Sequence, residues 1–257
     1  MKILRYLADG RARYGVLQGS DVYDLEGDVF ADPTIDARVG TLRDVQLLAP
    51  CVPTKIIAVG LNYADPTREG LAPLPSEPIL SFKPPSSTIG SGIPIRWPAV
   101  STRVDFEAEL AVVIGKTTRN VTPLAARSCL LGVTCANDVT ARDLQRREGQ
   151  WARAKGFDTF CPLGPCIDTA LDPSRCELVA RVNREVRQSV STSLLHFSPF
   201  DLVSYTSRIM TLVPGDVILT GTPPGSAALK IGDVVEVEID GVGVLWNPVE
   251  ADDCGST

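Results

Sequence analysis

Two short stretches place acidic residues where they could share a cation. In VDFEAELAVVIG, residues 104–115, the side chains of an extended chain alternate between faces, so Asp105, Glu107 and Glu109 point one way with Ala111 and Val113. Phe106, Ala108, Leu110, Val112 and Ile114 point the other way. The first face is acidic where the strand begins and apolar where it ends, as expected of a strand entering a core from the rim of a pocket. Glu107 and Glu109 would stand about 7 Å apart at their Cα atoms. Two carboxylates that close repel unless they are solvated, protonated or bridged by a metal. Asp138, which ends the apolar run VTCAND, is the natural third ligand. Glu, Glu and Asp form an all-oxygen set that suits Mg²⁺, Mn²⁺ or Ca²⁺ rather than zinc. The spacing alone accounts equally well for an exposed strand face and an unrelated N-capping aspartate, because E-x-E is a weak pattern.

Other residues carry possible chemistry. Lys155 lies in WARAKGFDTFCPLGP among aromatic and small residues. An ammonium there could bind a substrate carboxylate or polarise a carbonyl, a surface salt bridge being the plain alternative. LTGTPPG, residues 219–225, reads as a strand ending in a loop whose N–H groups and Thr222 hydroxyl could hold an anion, or simply as a tight turn. NYADPTRE, residues 62–69, reads as the start of a short helix with Asp65 and Glu69 on either side of Pro66. His196, the only histidine, is flanked by Leu195 and Phe197 and reads as a core or supporting residue. Arg142, Arg146 and Arg147 make the densest basic cluster and read as a solvated helix face.

The 257 residues are enough for one large domain, or one with a small appendage, around a substantial core. A net charge of -6 confines any nucleic-acid or anionic-membrane surface to a local patch, and neither kind of partner is expected. No apolar run approaches the roughly 18 residues of a membrane helix. The N-terminus, MKILRYLADG, lacks the apolar core and cleavage site of a secretory signal, so a cytoplasmic location is expected. Seven cysteines without a CxxC pair argue against a disulfide framework and a structural zinc site.

These residues need elements to hold them. KILRYL, RYGVLQG and DVYDLEG predict a small antiparallel β unit over residues 1–50, and the prolines of LLAPCVPTK mark a junction. KIIAVG begins the larger part, residues 51–250, with 251–257 as a tail. Residues 71–98, rich in Pro, Gly and Ser, read as one long binding loop or lid. A helix is expected after Thr122 as N-cap with Pro123 in its first turn and Gly132 just past its end. A second would start at Thr140, with Asp143 as a capping acid. PGDVILTGT and IGDVVEVEIDGVGVLWNPV each set a Gly-Asp turn before a β-branched strand, and Asp240-Gly241 fits a hairpin turn. The balance is α+β, strand-rich, built on mixed sheet.

VGLNYADPTRE, PILSFKPPSSTIGSG, VDFEAELAVVIGK, ANDVTARDLQ, AKGFDTFCPLGP, LVPGDVILTGTPPG and GDVVEVEIDGVGVLWNPV resemble, in order, the successive motifs of the fumarylacetoacetate hydrolase family. The resemblance spans about Lys55 to Val249. It implies a mixed β-sandwich roll, a small N-terminal β domain and commonly a homodimer. It further implies Mg²⁺ or Mn²⁺ at Glu107, Glu109 and Asp138. Lys155 becomes a catalytic residue, and Asn62, Tyr63, Lys83, Gln145 and Thr222 line the substrate site. The implied substrate is a small 2-oxo acid or 1,3-dicarbonyl compound, processed through a metal-stabilised enolate by hydrolysis, decarboxylation or keto–enol and double-bond isomerisation. Hydrolases of the family resemble the pattern N-Y-x-x-H-x-x-E. Here Asn62, Tyr63 and Glu69 match, while Pro66 stands at the histidine position. The expectation is therefore an enzyme impaired in the His–Glu hydrolytic route, with Glu69 as surviving acid–base residue. The alternative is a catalytically silent homologue that binds a metabolite or serves as a structural partner. Arg184, where the family often has glycine, is expected to alter a hairpin or dimer surface.

Overall fold

The structure is a computed structural model that describes residues 1–64 and 74–252. The N-terminal segment forms β1 (Lys2–Ala8), β2 (Arg11–Gln18), β3 (Asp21–Glu26), β4 (Thr34–Thr41) and β5 (Gln46–Leu48). β6 (Ile56–Gly60), β7 (Ile79–Lys83), β8 (Thr88–Ile89) and β9 (Ile95–Trp97) follow. The acidic stretch forms β10 (Val104–Asp105) and β11 (Ala108–Ile114), and α1 (Pro123–Ala126) leads to β12 (Leu130–Asn137). Then come β13 (Thr140–Ala141), α2 (Arg142–Glu148), α3 (Ala152–Lys155), β14 (Cys161–Asp168), β15 (Glu177–Val182) and β16 (Glu185–Ser191). α4 (Pro199–Ile209), β17 (Val217–Leu219), β18 (Val234–Ile239) and β19 (Gly243–Ala251) complete the chain.

One mixed sheet runs β4-β3-β2-β1-β14-β12-β11-β17-β6-β7, with β5 on β1 and β8 on β14. A second runs β16-β15-β18-β19-β9. Every residue of β11, β14 and β17 is buried, which explains why their sequences are nearly continuous apolar runs rather than alternations. Leu110, Val112 and Ile114 join a core with Leu178, Ala180, Val235, Val237 and Leu245 of the second sheet. On the opposite face Ala111, Val113 and Val217 belong to a second core with Ile3, and Tyr14 and Leu25 pack against that core. A Cβ on Gly215, just before β17, would lie 3.3 Å from the Phe30 ring between β3 and β4, so the large sheet rolls on itself while its other face packs in a sandwich. The strand-rich, α+β sandwich roll expected from sequence is what the chain forms. Its N-terminal strands belong to the rolled sheet, because β1 pairs with β14 at Lys2–Asp168 and Ile3–Ile167.

Several local expectations need correction. Residues 71–98 are not one loop, since the described part carries β7, β8 and β9. Thr122 does cap α1, accepting from the Ala125 N–H, but that helix is one turn long. Gly132 lies inside β12, where a Cβ would come within 2.2 Å of the Asp168 carbonyl oxygen. Thr140 belongs to β13, and α2 begins two residues later without a side-chain cap. α4 was legible and missed: Ser198, Pro199 and Asp201 form a capping box with proline in the first turn. Among the described residues no helix is long and apolar enough to cross a membrane.

Two positions give stability tests. Asn183 and Arg184, with φ of 52° and 69°, form the two-residue turn between β15 and β16. Such a turn favours Asn-Gly, and a side chain in the left-handed region costs about 1 kcal/mol. Arg184→Gly should raise the melting temperature, and a lower one would show that the arginine side chain stabilises this hairpin. Asp143 accepts from Ser101 Oγ at 2.7 Å and from the Thr102 N–H at 3.1 Å, tying α2 to the loop before the acidic stretch. Burial opposes ionisation, but these hydrogen bonds prevail and bring its pKa down to about 2. The native pKa is lower than the unfolded one of about 3.9, so the contribution is full above pH 4 and disappears as pH falls toward 2. Denaturant titrations across that window should show a shallower acid loss for Asp143→Asn than for the wild-type chain.

Candidate active site

Glu109 is carried by β11, which pairs with β12 so that Ala108 faces Asn137. That register places the residue before β11 beside the residue after β12. The expected single acidic strand is interrupted between β10 and β11, and Glu107 sits in the break. Its N–H donates to Asn137 Oδ1 at 3.0 Å and its carbonyl accepts from the Asp138 N–H at 2.8 Å. Glu107, Glu109 and Asp138 thus each offer a carboxylate oxygen within 4.8 Å of the others, and all three residues are buried.

Two lysines reach this cluster from elsewhere. Lys155, closing α3, is 3% exposed. Its Nζ donates to Asp138 Oδ2, to Glu107 Oε2 at 3.1 Å and to Thr140 Oγ1 at 3.0 Å. Lys83, closing β7, donates to Asp138 Oδ1 at 2.6 Å and to the Val139 carbonyl at 3.0 Å. Burial by itself would raise Asp138, but Lys155 and Lys83 reverse that and hold its carboxyl below the ordinary range. Burial likewise disfavours the charge on Lys155, yet Asp138 and Glu107 outweigh it and push the ammonium above its usual value. Glu109 is different. Only 1% exposed, it accepts the Gly221 N–H at 2.6 Å, and no described cation forms an ion pair with it. Burial, then Asp138 and Glu107, push its carboxyl well above the ordinary range. A buried carboxylate in that state needs a proton or a cation, so a hard divalent ion fits this oxygen set.

The cluster forms the floor of a cavity of about 460 Å³. Tyr63, Gln145, Lys155 and Thr222 line it. Tyr63 is buried, and among the described residues its hydroxyl has no hydrogen-bond partner. Burial and the nearby Glu109 carboxylate raise its pKa, so it stays a protonated donor. Two expected lining residues do not line the cavity. Lys83 lies behind Asp138, where it fixes that carboxylate. Asn62 is spent on architecture, donating to the Phe197 and Thr220 carbonyls and accepting the Phe197 N–H at 2.8 Å. Gly221 packs against it so closely that a Cβ would meet Asn62 Cβ at 2.8 Å, and this approach aims the Gly221 N–H at Glu109. Asp65, Pro66 and Glu69 lie outside the described residues. His196 is exposed rather than in the core, with Nε2 3.1 Å from the Pro75 carbonyl and its ring edge-on to Phe197.

The largest omission of the sequence reading is Arg142. It is no solvated helix residue: it donates to Asp105 Oδ2 at 2.9 Å, to Gln145 Oε1 at 2.5 Å and to Glu107 Oε1. Arg103 holds the same Asp105 through Nε at 2.8 Å. Asp105, already placed on the acidic face by alternation, was the available signal, because a carboxylate that is only 2% exposed demands cations. Gln188 was also missed. It donates to Thr222 Oγ1 at 2.9 Å and the Pro223 carbonyl at 2.6 Å, and its Oε1 accepts the Ala108 N–H at 3.2 Å, locking the Thr-Pro-Pro loop to β11.

Residues 55–250 match the family model for the fumarylacetoacetate (FAA) hydrolase C-terminal domain, and residues 1–50 match one described as Rv2993c-like, N-terminal. The chain belongs to the fumarylacetoacetate hydrolase family. It is 45% identical over 219 residues to the mitochondrial oxaloacetate tautomerase fahd2 of Xenopus laevis, covering 80% of this chain and 69% of that protein. Among solved structures it is similar to a 5-carboxymethyl-2-hydroxymuconate delta-isomerase from Mycobacterium smegmatis, with 44% identity, a TM-score of 0.91 and coverage of 98% of this chain and 100% of that one. A Sphingobium maleylpyruvate hydrolase in complex with manganese(II) and pyruvate is 31% identical with a TM-score of 0.82, over 98% of this chain and 99% of that one. This family member is thus of an enzyme fold, with an acidic triad that could hold a metal.

A direct check of the triad is Mn²⁺ titration followed by electron paramagnetic resonance. The wild-type chain is expected to bind the ion, and Glu109→Gln and Asp138→Asn are each expected to weaken binding by at least about tenfold, the scale on which even outer partners of a metal act. Equal affinity in all three chains would place the ion elsewhere.

Proposed function

We propose that the protein is a divalent-cation-dependent enzyme that acts on a small 2-oxo acid or 1,3-dicarbonyl compound through its enolate. Keto–enol or double-bond isomerisation and decarboxylation are favoured over hydrolysis. The observation that carries this reading is Glu109, a buried carboxylate without an ion-pair partner among the described residues, beside Glu107, Asp138 and Lys155 on the floor of an open polar cavity. Mg²⁺ or Mn²⁺ bound by Glu107, Glu109 and Asp138 would supply a Lewis acid that stabilises negative charge on an enolate oxygen. The names of the similar proteins, a tautomerase, an isomerase and a hydrolase, lend support, since enolisation is common chemistry to such reactions.

The chain's own groups would divide the remaining work. Lys155 Nζ, fixed by three oxygen acceptors, places a permanent positive charge where an enolate oxygen develops, and needs no reorganisation to do so. Tyr63 lines the same cavity, and its buried hydroxyl, unpartnered among the described residues, would serve as a hydrogen-bond donor. Gln145 and Thr222 line the wall and would orient the bound acid. Trp151, with Pro223 and Pro224, provides an apolar side that limits water around the reacting carbon. Glu69 enters on the sequence pattern alone, as the carboxylate that would remove or return the C3 proton. Pro66 offers no imidazole to activate water, which is why the hydrolytic outcome is disfavoured.

The test is proton NMR in D₂O with oxaloacetate or an acylpyruvate and Mg²⁺ or Mn²⁺, against an EDTA control. Metal-dependent deuterium incorporation at C3 is expected, with Lys155→Met slowing it by about 100-fold, the loss typical of one preorganised electrostatic group. Bound metal and bound dicarbonyl without exchange or cleavage would instead support a silent binding protein.

A further inference from the structure

Among the described residues four cationic side chains line the cavity: Arg103, Arg142, Arg146 and Lys155. Three are spent on fixed carboxylates. Arg103 and Arg142 hold Asp105, Arg142 also holds Glu107, and Lys155 holds Glu107 and Asp138. Arg146 alone has no hydrogen bond or ion pair among the described residues. Its helix does not lack acids. Asp143, three residues back, is committed to Ser101 and Thr102, and Glu148, two residues on, pairs with Arg147 and Arg153. The local carboxylates that would neutralise a surface arginine are therefore taken by other partners.

Position adds to this. Arg142 and Arg146 are four residues apart in α2, so they share a face, with Arg146 about one turn, or 6 Å, farther along the axis. Arg142 reaches the floor of the cavity, where it pairs with Glu107. Arg146 stands exposed one turn away and still lines the wall. A planar guanidinium with free donors in such a place suits a carboxylate.

We propose that Arg146 is a specificity-determining residue that receives a second, distal carboxylate of the substrate, selecting dianionic 2-oxo acids over monoanionic ones of equal length. This rests on the 2-oxo acid reading above. Because Arg146 acts beyond the reacting carbon, its contribution is uniform binding: its loss raises KM and leaves kcat unchanged. Its exposure also makes the preference weaken with salt.

The experiment is calorimetric titration of the Mn²⁺-loaded full chain with 2-oxoadipate and with 2-oxohexanoate, which has a methyl group in place of the distal carboxylate. The wild-type protein is expected to bind the diacid about five- to tenfold more tightly, as suits one partly exposed charge-assisted contact. Arg146→Gln should abolish that preference without changing affinity for the monoacid, and Arg146→Lys should restore part of it. Equal binding of the two acids by the wild-type chain, or equal losses for both in Arg146→Gln, would overturn the assignment, as would binding of neither. C3 deuterium exchange is measured in parallel. A preference that follows Arg146 without any exchange leaves this assignment standing and sinks the proposed reaction.

Discussion

Four carboxylates gathered out of water set the terms for everything around them. Asp105, Glu107, Glu109 and Asp138 are each at most 7% exposed, and an isolated buried carboxylate is far too costly to remain ionised without partners. The chain meets this cost with cations delivered from separate parts of the sequence. Lys83 comes from the end of β7, Arg103 precedes β10, Arg142 opens α2 and Lys155 closes α3. Long-range closure of the fold is therefore a condition of the site. The two helices that carry Arg142 and Lys155 are too short to be stable alone, at seven and four residues. They are held by what their side chains bind as much as by their own backbones.

The rolled sheet supplies the rigid part. Because β11 is buried on both faces, its register against β12 and β17 is strongly specified, and a slip by one residue would turn Glu109 and its neighbours to the wrong side. The break after β10 then frees Glu107 from the ladder so that its backbone can bond the Asn137 amide and the Asp138 N–H. On the other side, the close contact of Gly221 with Asn62 brings a backbone donor to Glu109. Glu109 is thus placed by three neighbouring pieces of sheet and loop, while the cations that balance the other acids arrive from the periphery.

This division explains what could be read in the sequence. The strands were legible because their apolar runs and turn residues are local signals: β1, β2, β3, β6, β12 and the β18–β19 hairpin fall where patterning puts them. The triad was legible because strand alternation fixes Glu107 and Glu109 on one side, even though the strand is broken between them. Helix ends were read less well, since Thr140 and Asp143 spend their side chains on tertiary partners, Lys155 and residues 101–102, rather than on capping. Arg142 was misread for the same reason. In sequence it is one of three arginines on a short polar helix, and only the distant Asp105 and Glu107 distinguish it from Arg147, which reaches no farther than Glu148. Roles that depend on pairing across 35 or more positions leave no local trace. Asn62 and Lys83 show the converse, since their motif positions suggested ligand contacts while their side chains complete the scaffold behind the site.

Seen as a balance of polar groups, the site leaves two features open. Arg142, Lys83 and Lys155 are matched to carboxylates, and Gln188 is matched to the Thr222 loop. Among the described residues the Glu109 carboxylate has a single N–H and no cation, and the Tyr63 hydroxyl has no partner. Folded proteins seldom leave buried polar atoms unpaired without a reason, because each costs about 1–3 kcal/mol. Among the described residues the Thr134 and Thr206 hydroxyls and Asn137 Nδ2 are also unpartnered, but none of these three residues lines the cavity. Glu109 and Tyr63 do line it, and their needs are complementary: one lacks a positive partner, the other an acceptor. A hard cation on the carboxylate side and an anionic oxygen within reach of the phenol would satisfy both at once, which is the arrangement that an oxo acid bound to a divalent ion presents.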